Sequence, residues 1–144
     1  MVDDLRYKRL TSAKALALAG DYSAAYDILD ALHRKYPHDI EVHRLHGNIL
    51  ELDAFAFDVT NPMDERLRSA RRHYACILRR NNYDRQAMFD LAEHFSNIDK
   101  MYVARCLYEE ILARYGNEKS EEVERSKEWL AEISGDASGR EDRS

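Results

Sequence analysis

The chain has 144 residues, a net charge of −5, and only two prolines and five glycines. That is one domain's worth of chain, too poor in turn residues for an all-β fold and rich in Ala, Leu, Glu, Arg and Lys, so it reads as all-α. The acidic balance argues against a nucleic-acid partner and no apolar run approaches membrane thickness, so the expectation is a soluble, cytoplasmic protein with no membrane partner.

Apolar spacing and capping chemistry predict helices over 3–19, 22–36, 39–58, 62–81, 84–97, 100–115 and 118–134. Asp3 or Asp4 is placed to cap the first, Asp39 the third and Asp84 the fifth. The second helix follows a Gly-Asp-Tyr turn at Gly20, Asp21 and Tyr22 and ends before Pro37. Between the third and fourth, the alternation Ala54-Phe55-Ala56-Phe57-Asp58-Val59 has the period of a strand, but nothing is available to pair with it, so a helical hairpin is the better reading. Thr60 or Asn61 then caps the fourth helix, and Pro62 sits where a helix has a spare N–H position. The seventh helix is amphipathic through Val123, Trp129, Leu130 and Ile133 and reads as a solvating cap, with a disordered polar tail over 135–144. Cys76 and Cys106 lie inside helical patterns without paired short spacing and read as buried free thiols.

The chain also repeats itself. Ala70, Tyr74 and Ile77 correspond to Ala104, Tyr108 and Ile111, each pair 34 residues apart, and Ala25, Leu29, Leu32 and Pro37 occupy the same offsets in an earlier segment. In the preceding helices the small residues Gly47 and Ala92 fall in register. Small residues at Ala13, Gly47 and Ala92, and at Ala25, Ala70 and Ala104, would let neighbouring helices approach closely. From Gly47 to Ala70 is 23 residues, against 12 from Ala92 to Ala104, so the second repeat carries 11 extra residues at its internal turn. Eleven residues is about three helical turns, enough to lengthen both helices of the pair and keep them in phase.

Over roughly residues 6–117 this pattern resembles the tetratricopeptide repeat family, a series of 34-residue helix-turn-helix units. The match is carried by the Gly20-Asp21-Tyr22 turn, the small-residue positions and Pro37; it departs at Arg9, His43, His46 and Asn82. The resemblance implies a right-handed α-solenoid in one domain over 1–134: repeats at 6–39, 40–84 and 85–117, an extended hairpin in the second, and a capping helix over 118–134. It also implies a non-catalytic adaptor or chaperone for a protein or peptide, bound in a concave groove lined by first helices. The family's groove positions fall on Tyr7, Leu10, Lys14 and Ala17, on Glu41, Arg44, Leu45, Asn48 and Glu51, and on Gln86, Phe89, Asp90 and Glu93. Lys14, Arg44 and Asn48 are too few, with Asp90 and Glu93 opposed to them, for the family's clamp on a C-terminal carboxylate.

The hairpin is the second candidate surface. Phe55, Phe57 and Met63 supply aromatic and apolar anchors beside Arg66 and Arg68, a mixture that suits a protein partner or, in the alternative reading of a self-assembling structural protein, a homodimer. No nucleophile elbow, phosphate loop or metal-protease motif is present, so the expectation is not an enzyme and needs no cofactor. His43 and His46 form an H-x-x-H pair near Glu41, but at packing positions and with no third ligand in view, so no metal is expected there. Arg68, Arg72 and Arg79 form a basic stripe without aromatic interleaving, which reads as a solvated helix face.

Overall fold

The computed structural model describes the backbone over residues 2–141 and the side chains over residues 5–134. Among the described residues every regular element is helical: α1 (Val2–Leu18), α2 (Tyr22–Lys35), α3 (Ile40–Ala56), α4 (Glu65–Arg80), α5 (Arg85–Asn97), α6 (Met101–Tyr115) and α7 (Glu121–Glu141). Asp3 and Asp4 fall within α1 and their side chains lie outside the described residues, whereas Asp39 and Asp84 act as expected. Their carboxylates accept from Val42 N at 3.1 Å and Ala87 N at 2.8 Å. Asp21 does the same for α2, accepting from Ala24 N at 3.2 Å.

The first helix of each of three successive pairs ends in one and the same way. Gly20, Asp58 and Asp99 take positive φ values of 87°, 56° and 65°. Around each, two backbone bonds close the last turn: Gly20 N to Ala17 O with Asp21 N to Leu16 O, Asp58 N to Phe55 O with Val59 N to Ala54 O, and Asp99 N to Ser96 O with Lys100 N to Phe95 O. These are Schellman motifs, which satisfy the orphan carbonyls at a helix end and reverse the chain in the fewest residues.

The chain divides into two compact units, Met1–Asn82 and Tyr83–Ser144. The division falls at the turn after α4. In the first unit α1 packs on α2, α3 on α4, and α3 also on α1 and α2; in the second α5, α6 and α7 pack on one another. The repeat positions are the core of both. Ala25, Leu29, Leu32, Ala70, Tyr74 and Ile77 are fully buried in the first unit, and Ala92, Ala104, Tyr108 and Ile111 are buried in the second.

Several boundaries differ from the sequence reading, each for a local reason. The connection between α3 and α4 occupies residues 57–64, because Asp58 closes α3 early and Asp64, not Thr60 or Asn61, caps α4 by accepting from Arg66 N at 3.0 Å. Asn61 instead shapes the turn, its side-chain oxygen accepting from Met63 N at 3.0 Å. Helix α7 begins after Ser120, whose hydroxyl accepts from Val123 N, and is helical to Glu141; the end of the tail expected over 135–144 lies outside the described residues. Cys76 is half-buried and Cys106 exposed, because Ala104, Tyr108 and Ile111 turn the opposite face of α6 inward.

Candidate functional site

The expected groove can be followed residue by residue in the first unit. Helices α1 and α3 line a concavity of about 580 Å³ whose walls include Tyr7, Leu10, Lys14, Glu41, Arg44, Leu45 and Asn48. Arg6 closes one end and is itself held by Asp39 at 3.3 Å. Lys14 and Asn48 are exposed, while Leu10, Arg44 and Leu45 are half-buried, so the floor is apolar and the rim polar.

The groove positions of the second unit behave differently. Phe89 is only 5% exposed. Its ring meets Tyr108 edge-on at 6.2 Å, and the Arg125 guanidinium of α7 lies 5.2 Å from its centroid. Arg125 also pairs with Glu93 at 2.6 Å, and Gln86 donates to Asp90 at 2.9 Å. Phe89, which the resemblance places in the groove, is buried core beside Arg125 of α7.

The hairpin residues separate in the same manner. Phe57 and Met63 stand 67% and 68% exposed. Phe55 is half-buried, while Ala54 and Leu67 are fully buried. Arg66, expected to steer a partner, is engaged within the chain by Asp64 at 3.1 Å and Asp53 at 3.4 Å. Asp53 also accepts from the Tyr26 hydroxyl at 2.7 Å, so this network ties α2, α3 and α4 together. Burial, followed by that bond to Asp53, pushes the Tyr26 phenol up. Arg68 remains exposed.

A third constellation appears only in three dimensions. His33 of α2, His43 and His46 of α3, and His73 of α4 come together, with ring centroids between 4.3 and 5.2 Å apart for five of their pairings. His33 Nε2 and His46 Nδ1 are 2.9 Å apart, and so are His43 Nδ1 and His73 Nδ1. His43 Nε2 also lies 3.0 Å from the Pro37 carbonyl. A carbonyl can only accept, so His43 carries its proton on Nε2 and presents a lone pair at Nδ1. One ring nitrogen from each of His33, His43 and His73 lies within 4.8 Å of the others. Beside His43 a cavity of about 660 Å³ opens, lined by Pro37, His38, Cys76, Arg79 and Arg80.

Burial disfavours the charged form of these rings. It pushes His46 down to about 4, helped by His33 and His43, and His73 down to about 3, helped by the other three rings and Arg72. His33 is lowered by burial and by His43, against the opposing pull of Asp30 and Asp39. The sequence reading had His43 and His46 but missed His33 and His73. Each of the missed residues sits one position from a buried repeat residue, Leu32 or Tyr74, so the signal available was a histidine at the edge of the inward face of both flanking helices.

A scan of known protein-family models gives no match to the chain, and neither curated proteins nor solved structures show a significant similarity to it.

Proposed function

We propose that the chain is a non-catalytic scaffold of tetratricopeptide-like repeats, an adaptor or chaperone that holds an extended protein segment in the groove between α1 and α3. The observation that carries this reading is the concavity itself: seven residues assigned to a groove by repeat register alone line one continuous wall. Three helix pairs with equivalent buried positions and the same Schellman ending also support a solenoid of repeats. Leu10 and Leu45 offer apolar burial between Lys14, Arg44 and Glu41, which suits a peptide with apolar anchors and a mainly acidic flank. Panning a peptide-display library on the purified chain should enrich sequences of that kind. Leu10→Asp with Leu45→Asp should weaken the enriched peptides at least about tenfold, the loss of one modest anchor, while leaving helical content intact. Equal enrichment on wild type and the double variant would remove the groove from consideration.

A second reading, a homodimer through the hairpin, is favoured by one observation: Phe57 and Met63 present two large apolar side chains to solvent on the same turn. If that patch mediates self-association, Phe57→Ser with Met63→Ser converts a dimer into a monomer in sedimentation velocity without loss of helix. A wild-type chain that sediments as a monomer at high concentration rules out this role.

A further inference from the structure

We propose that the first unit contains a single binding site for a borderline divalent transition-metal ion of the zinc type, ligated by His33, His43 and His73, with its fourth position open toward the cavity beside His43. This site is independent of the groove reading and stands whether or not a peptide binds between α1 and α3.

The donor set is the first argument. Three imidazole nitrogens converge within 4.8 Å from three different helices. An all-nitrogen set suits zinc and its neighbours and does not suit calcium or magnesium, which take oxygen ligands. Two nitrogens bound to one tetrahedral zinc at about 2.0–2.1 Å stand about 3.3 Å apart. His43 Nδ1 and His73 Nδ1 are already 2.9 Å apart, so a metal can replace the proton they share with only a small separation of the rings. His33 needs a further inward movement, for which its half-buried setting leaves room.

The surroundings of the donors are the second argument. His43 donates its remote N–H to the Pro37 carbonyl at 3.0 Å, the kind of outer bond that fixes a ligating ring and its tautomer. His46 contacts His33 at 2.9 Å and serves in the same way as an orienting residue for that ring. Pure packing does not call for four imidazoles stacked on one another with two nitrogen-to-nitrogen contacts at 2.9 Å among them. The cavity lined by Pro37, His38, Cys76, Arg79 and Arg80 gives an ion a route in and leaves space for water or an exchangeable ligand at the fourth position. Because α2, α3 and α4 each supply one ligand, a bound ion would cross-link the first helix pair to the second.

The experiment uses the full chain without an affinity tag, stripped with chelator and then titrated with Zn²⁺ alone by calorimetry and thermal melting. One equivalent should bind and the melting temperature should rise, since the ion binds the folded state and not the dispersed ligands of the unfolded chain. Co²⁺ should give the intense visible bands of a tetrahedral nitrogen-ligated centre. His43→Gln and His73→Ala should each weaken zinc at least about tenfold and abolish those bands. His38→Ala, an exposed histidine on the same cavity, should leave both unchanged. Far-UV circular dichroism checks that each variant folds, and if His73→Ala does not, the near-isosteric His43→Gln carries the test. Absence of saturable binding by the wild type, or equal binding by wild type and His43→Gln, overturns the site; so does a loss on His38→Ala as large as that on His43→Gln.

Discussion

Gly47→Leu should destabilise the first unit by about 3 kcal/mol, at the upper end of what overpacking costs. The reason lies in how closely α3 approaches α4. A Cβ added at Gly47 would stand 2.7 Å from Tyr74 Cε1 and 3.0 Å from Cζ, nearer than van der Waals contact allows. Tyr74 has little freedom to retreat, because its side chain is fully buried and its hydroxyl, with one proton to donate, sits between two acceptors, the side-chain oxygens of Asn48 at 2.7 Å and of Glu51. A leucine must displace the ring, break its hydrogen bond, or push the helices apart. Gly47→Ala should cost less, since a glycine in a helix interior is itself unfavourable by about 1 kcal/mol relative to alanine. Combining Gly47→Leu with Tyr74→Ala should be less damaging than the sum of the two, as the space vacated by one side chain accepts the other. Urea denaturation of the four chains measures the coupling. A Gly47→Leu protein as stable as wild type would mean that α3 and α4 do not pack through this contact.

That contact also shows why part of the fold could be read from sequence. A small residue on one helix and a large one on the next recur with the repeat, and so do the buried triplets at Ala70, Tyr74, Ile77 and Ala104, Tyr108, Ile111, so periodicity alone located the core. Helix starts were legible at Asp39 and Asp84 because an aspartate cap works through its immediate neighbours in the chain. Helix ends were less so. Gly20 announces a left-handed residue, but Asp58 and Asp99 adopt the same conformation with a side chain that is common everywhere on a charged surface. Hence the hairpin was drawn too long, by two residues at the end of α3 and three at the start of α4.

The histidine cluster was illegible for a different reason. His43 and His46 are one helical turn apart and visible as a pair, whereas His33 and His73 reach them only because α2 and α4 flank α3. Their meeting depends on the rotation of each helix about its axis, which apolar periodicity gives only to within a residue or so. The burial of Phe89 was illegible for the same reason, since nothing in repeat register indicates that Arg125 of α7 will lie across its ring.

Helix α7 is the subject of the second large effect: Trp129→Ala should cost the second unit about 3 kcal/mol, the low end for deleting a packed tryptophan because the side chain is only half-buried. The indole lies against Tyr108 of α6, with ring centroids 4.6 Å apart, and its N–H donates to Ser96 Oγ of α5 at 3.0 Å. One side chain therefore touches both helices on which α7 rests, while Val123, fully buried, anchors the helix one and a half turns or so earlier. Removing the ring uncovers Tyr108, whose phenol is pushed up chiefly by burial, and strips the Ser96 hydroxyl of its donor. Trp129→Phe separates the two contributions. It keeps most of the stacking and loses the hydrogen bond, so it should cost about 1 kcal/mol. Trp129 is the chain's single tryptophan, so its fluorescence in the wild type reports on the surroundings of α7 in the second unit. Circular dichroism melts of the two Trp129 variants supply the comparison. If Trp129→Ala melts with the wild type, α7 is not held on α5 and α6 by this residue, and the cap over Phe89 and Glu93 would have to rest on Val123 and Arg125.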